Sequence, residues 1–252
     1  MPQPTQATYK SFDGQTISYT ELGEGPLVIL LHGFTGNAQL NWFAPGIAQK
    51  IAGAGYRVVA PDMRGHGASP VPDDPKFWPA DAVARDQIAL FDALGEDPYA
   101  MVGYSMGSLV TLRVHLLSRK GGRLVLGGIG DSAADEWNRD RNTAFEAAIR
   151  AAMTGEDTPQ AKGIAARAQA TGGTLSGYLN ALSSRIYTPA DLLKTFDVPV
   201  LVMTGDGDLD NGSGAELAKI LPGAKYRQLS GTHLSAVVDP ALPEAVIAFL
   251  TE

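Results

Sequence analysis

The stretch Ala100-Met-Val-Gly-Tyr-Ser-Met-Gly-Ser-Leu-Val110 decides the reading of this chain. A short apolar run, AMV, leads into Gly103-Tyr104-Ser105-Met106-Gly107, and an apolar-periodic segment follows. This is G-x-S-x-G between a strand and a helix, the context in which that pattern carries chemistry. A serine in so tight a turn projects its Oγ clear of the sheet, and side chains two residues either side would collide across it.

Working outward, short continuous apolar runs alternate with helical patterns. The runs are Leu27–Leu31, Tyr56–Ala60, Ala100–Val102, Leu124–Leu126 and Val200–Met203. Continuous apolarity marks strands buried on both faces of a parallel sheet. Helices are expected over Asn37–Ala52, Ala80–Leu94 and Met106–Leu117, and a hairpin turning at Asp13-Gly14 opens the chain. Strand and helix in alternation imply a doubly wound, mostly parallel α/β sheet.

One interval breaks the rhythm. Roughly 70 residues between Gly130 and Val200 carry no strand signal, far more than an ordinary connection. They read as helices over 133–153, 160–170, 175–182 and 190–196. The division expected is a core of residues 1–130 and 198–252 with a helical lid over 131–197. A lid would cover the carboxyl ends of the strands, where open α/β sheets bind ligands. Extra helical packing on the sheet edge is the alternative.

Composition bounds the function. The chain has 252 residues, 44% of them hydrophobic and 19% charged, with a formal net charge of −7. Such a balance, without a Lys/Arg block, argues against nucleic acid as a partner. The absence of cysteine removes disulfides, thiolate metal sites and a cysteine nucleophile. No basic-then-apolar leader and no apolar run of membrane-spanning length stand in the sequence, so the expectation is a cytoplasmic protein with no membrane partner, monomeric or homodimeric.

Two further motifs follow strands. His32-Gly33-Phe34-Thr35-Gly36 comes after LVILL. The backbone N–H groups of Phe34 and Met106 can point at one spot and form an oxyanion hole. The third motif, GDGDLDNG at 205–212, invites a calcium reading with Asp206, Asp208 and Asp210 as alternating ligands. That pattern needs Gly and Glu where Asn211 and Leu217 stand, so no metal is expected. A serine nucleophile needs a base, and the base an orienting carboxylate. Of four histidines, His115 lies more than two turns along the helix leaving Ser105, and His32 sits in the Phe34 loop. His233, in GTHLS after the last expected strand, is the favoured base, with His66 the competitor.

HGFTG, DMRGHGAS, GYSMG, GDGD and GTH, in this order over nearly the full chain, resemble the α/β-hydrolase fold family, its serine-nucleophile carboxylesterase-like members in particular. The resemblance implies a triad in the order serine, acid, histidine. Its acid stands three residues after the glycine ending the strand, which here selects Asp208, with Asp210 second. The implied activity is hydrolysis of a small to medium, mostly apolar carboxylic ester through an acyl-enzyme on Ser105, with no cofactor. Lactone hydrolysis, perhydrolysis, carbon–carbon cleavage and a slow-turnover receptor are the alternatives. Epoxide hydrolases resemble the architecture but place an aspartate where Ser105 stands. Phe34, Met106, Trp137, Leu209 and Leu234 are the expected pocket walls, with Trp42 and Tyr178 as further aromatic candidates. No cationic pair is evident to grip a carboxylate.

Overall fold

Along β3 (Leu27–Leu31) the side chains alternate between two cores: Leu27, Ile29 and Leu31 enter one, Val28 and Leu30 the other. All five are buried, as a central strand covered on both faces requires. The computed structural model describes residues 3–134 and 138–252. Its sheet has eight strands in the order β1-β2-β4-β3-β5-β6-β7-β8. The others are β1 (Thr5–Lys10), β2 (Thr16–Leu22), β4 (Arg57–Pro61), β5 (Ala100–Tyr104), β6 (Leu124–Gly127), β7 (Val200–Gly205) and β8 (Lys225–Leu229). β2 runs antiparallel to both its neighbours, and every pairing from β4 to β8 is parallel.

Helices cover both faces. α2 (Ala82–Leu94), α3 (Met106–Ser118) and α8 (Gly214–Ile220) pack on the face that receives Leu27, Ile29 and Leu31. α1 (Ile47–Gly53) and α9 (Ala241–Leu250) pack on the opposite face. The helix expected over residues 37–52 is broken. A π-helical turn, Gln39–Phe43, precedes Pro45 and Gly46, and only then does α1 begin. Proline removes a donor, and Gly46 at φ 79° takes the left-handed conformation. Trp42 falls in that turn and is fully buried in the sheet core rather than in any pocket.

Between β6 and β7 stand α4 (Asn138–Met153), α5 (Pro159–Thr171), α6 (Leu175–Ser183) and α7 (Ala190–Leu193). α4, α5 and α6 build a small core of their own from Ile149, Ile164, Ala168, Tyr178 and Leu182. α5 is capped at both ends: Thr158 Oγ1 accepts from the Ala161 N–H, and Gly172 at φ 70° closes the last turn. Caps of this kind contribute about 1 kcal/mol. Phe34 packs against this core and the main one, joining them. No helix among the described residues is long and apolar enough to cross a membrane.

Candidate active site

The sheet's register brings the motifs together. Leu31 lies opposite Gly103 on neighbouring parallel strands, so the His32–Gly36 loop and the Ser105 turn leave the sheet side by side. Ser105 holds φ 53° and ψ −116°, a strained conformation for a residue with a side chain. The flanking glycines make that turn possible. A Cβ on Gly103 would lie 2.4 Å from the Gly107 carbonyl carbon, and one on Gly107 2.0 Å from the Leu31 oxygen. The Ser105 N–H donates to the Gly127 carbonyl at 2.7 Å, fixing the turn to β6.

Ser105, His233 and Asp208 meet at the carboxyl edge, after β5, β8 and β7 respectively. His233 Nε2 lies 2.9 Å from Ser105 Oγ, and His233 Nδ1 lies 2.9 Å from Asp208 Oδ2. An ionised carboxylate only accepts, so Nδ1 carries the proton and Nε2 is left to accept from the serine hydroxyl. Asp208 is almost fully buried, and its other oxygen accepts from the Asp210 N–H at 3.2 Å. The Tyr104 hydroxyl donates to the His233 carbonyl at 2.7 Å and steadies the loop. Burial, reinforced by the charges of Asp208 and Asp210, raises the Tyr104 pKa, which keeps that donor protonated.

The three loop aspartates separate by what they touch. Asp206 Oδ1 accepts from the Gly231 N–H at 2.8 Å and pins the β8 loop. Asp208 holds His233. Asp210 lines the cavity in front of them. Ligand atoms of Asp208, Asp210 and His233 come within 4.8 Å of one another, but two of these residues already share a hydrogen bond that a cation there would have to break.

Met106 is the first residue of α3, and an N–H at that position has no carbonyl one turn back. Among the described residues the Phe34 N–H likewise meets no acceptor. Both residues line a cavity of about 760 Å³, together with Ser105, His233 and Leu234.

Two pocket expectations come out differently. Leu209 is 88% exposed and is not a cavity wall, because the turn that aims Asp208 inward sends its neighbour outward. Tyr178 is fully buried against Phe34 and His66. Trp137 lies outside the described residues. The segment 138–193 supplies walls that no local motif announces: Phe145 and Ala148 from α4, Gln160, Ile164 and Arg167 from α5, and Arg185 after α6.

The other histidines are held within the fold and take no part in the relay. His32 Nδ1–H donates to the Gly33 carbonyl at 2.8 Å, while its Nε2 accepts from the Met63 N–H at 2.9 Å. Burial lowers its pKa to about 4. His66 packs against His32, Phe34 and Tyr178 and does not reach the cavity wall. Burial, and then the neighbouring His32, lowers its pKa to about 3. His115 is buried in α3, with Nδ1 on the Lys120 carbonyl.

The family model for the alpha/beta hydrolase fold matches residues 26–148. An epoxide hydrolase of Caballeronia sordidicola is 38% identical over 96 residues, covering 38% of this chain and only 28% of its own length. A non-heme chloroperoxidase of Kitasatospora aureofaciens is 28% identical over 90% of this chain and 92% of its own. The crystal structure of an esterase from Rhodococcus sp. superposes with a TM-score of 0.73 at 26% identity, covering 98% of both chains. With its sheet order, its strained serine turn and these matches, the chain has the α/β-hydrolase fold.

Proposed function

We propose that the protein is a serine hydrolase of carboxylic esters, with Ser105 as nucleophile, His233 as general base and Asp208 as the carboxylate that orients it. One observation carries the reading: the unbroken relay from Asp208 Oδ2 through both nitrogens of His233 to Ser105 Oγ, 2.9 Å at each link. In acylation Nε2 removes the serine proton as Oγ attacks the ester carbonyl, and returns it to the departing alcohol. The tetrahedral oxyanion forms beside the Phe34 and Met106 N–H groups. Water, deprotonated by His233, then releases the acid. Asp208 stays ionised throughout and steadies the imidazolium.

The epoxide hydrolase likeness does not extend to the nucleophile. Opening an epoxide with a serine would leave an alkyl ether, which this machinery cannot hydrolyse. The likeness over 90% of the chain to a protein named chloroperoxidase favours one second reading. Hydrogen peroxide in place of water would convert the same acyl-enzyme to a peracid. The segment 131–197 acts in this reading as a lid, supported by the walls it adds to the cavity.

The test is hydrolysis of p-nitrophenyl acetate and butyrate in excess over enzyme, with wild type and Ser105→Ala compared. Many turnovers, lost in the variant, are expected. A single stoichiometric burst would replace the enzyme reading with a receptor that consumes its ligand.

A further inference from the structure

The cavity wall carries charged side chains of both signs, Asp210 on one hand and Arg167 and Arg185 on the other. Asp210 stands at its His233 end, within the same 4.8 Å group as the His233 and Asp208 ligand atoms. Arg167 stands on the wall supplied by α5, where its Nη1 approaches Thr35 Oγ1 at 3.5 Å, one residue from Phe34. Among the described residues Arg167 has no carboxylate partner, whereas Arg57, Arg64 and Arg113 are each ion-paired. Arg167 remains accessible on the wall of an otherwise largely apolar cavity.

Its placement is built rather than loose. The C-terminal turn of α5 is tied to the Phe34 loop by Asn37 Nδ2, which donates to the Thr171 carbonyl at 2.9 Å. The Thr171 and Tyr178 hydroxyls are hydrogen-bonded at 2.6 Å, and the Tyr178 hydroxyl reaches the Thr35 carbonyl at 3.4 Å. Arg167 lies one turn before Thr171, whose hydroxyl donates to the Arg167 carbonyl at 2.9 Å. The guanidinium is therefore carried on a helix docked beside the proposed oxyanion site.

We infer that the substrate carries an anionic group, a carboxylate a few atoms from the scissile carbonyl, and that Arg167 receives it. The inference rests on the esterase reading and narrows it. A planar guanidinium fork matches a carboxylate bidentately, and the charge on both partners shortens and strengthens the two hydrogen bonds.

The experiment compares two ester pairs. The first is mono-(p-nitrophenyl) glutarate against p-nitrophenyl butyrate, with the carboxylate on the acyl side. The second is 4-acetoxybenzoate against phenyl acetate, with it on the leaving group. For one pair the wild type is expected to favour the anionic member, and Arg167→Gln to reduce that kcat/KM ratio by about 10- to 100-fold, chiefly through KM. Arg167→Lys should restore part of the ratio, because charge remains while the fork is lost. A merely structural arginine would lower both members of a pair together and leave each ratio unchanged, and that result overturns the inference. Binding of glutarate to Ser105→Ala by calorimetry is independent of turnover. If no ester is hydrolysed, the esterase reading fails, and glutarate binding that Arg167→Gln does not weaken overturns the anion site as well.

Discussion

Two polar clusters stand near the same edge of the sheet and differ in what they face. In one, Arg64 is fully buried and donates to Asp86, to both oxygens of Asp13 and to the Phe77 carbonyl. Ser11 closes the remaining side of Asp86, and Phe12 lies 5.2 Å from the guanidinium carbon. Every strong donor is spent on protein. In the other, Asp208 is buried, but Ser105 Oγ and the His233 ring open on the cavity. A polar cluster closed on itself holds loops together. One that turns a hydrogen-bonded hydroxyl toward empty space is arranged to act on something else.

Substitutions should separate the two clusters, activity on one side and stability on the other. The largest effect is expected from Ser105→Ala, about 10⁴-fold or more in kcat with the melting temperature nearly unchanged. Asp208→Asn should cost about 10²- to 10⁴-fold by disturbing the His233 tautomer, while Asp210→Asn costs far less. If Asp210→Asn were the damaging change, the assigned acid would be wrong. In the closed cluster, Asp86→Asn should cost about 3 to 5 kcal/mol in denaturant unfolding, because it leaves Arg64 buried with one carboxylate fewer. Activity per folded molecule should survive that change. A variant at Asp86 that stayed stable and lost turnover would collapse the distinction.

The buried His32–His66 pair predicts a smaller, pH-dependent effect. Both folded pKa values are depressed, to about 4 and about 3, so the unfolded chain takes up protons first as pH falls. Stability from these groups is complete above their unfolded pKa and drains away below it, by up to about 2 kcal/mol per histidine between pH ~7 and ~5. NMR titration should find both imidazoles neutral in the folded protein at pH ~5. A protonated His66 at that pH would contradict the burial assigned to it.

What the sequence discloses depends on how local the cause is. The serine turn is legible because two glycines, a strand and a helix all fall within a dozen residues. The break at Pro45-Gly46 was equally local, and reading the apolar pattern through it overextended the first helix. Asp208 is less legible. Asp206, Asp208 and Asp210 alternate in one loop, and in the sequence only the family pattern separates them; in the fold it is Asp208 that meets His233. Leu209 shows the same difficulty from the other side, since nothing in GDGDLDNG says which side chains turn inward. Arg167 had no signal at all. Its position follows from the docking of α5 through Asn37 and Tyr178, contacts that span more than 130 residues of chain.

The central claim is that Ser105 becomes covalently acylated and His233 drives both steps. Intact-mass analysis after brief mixing with p-nitrophenyl butyrate tests it most directly. The account predicts one butyryl adduct on the peptide containing Ser105, transient in the wild type and absent in Ser105→Ala. His233→Ala should acylate far more slowly. Turnover without such an adduct, or an adduct on another residue with undiminished rate in Ser105→Ala, would contradict it.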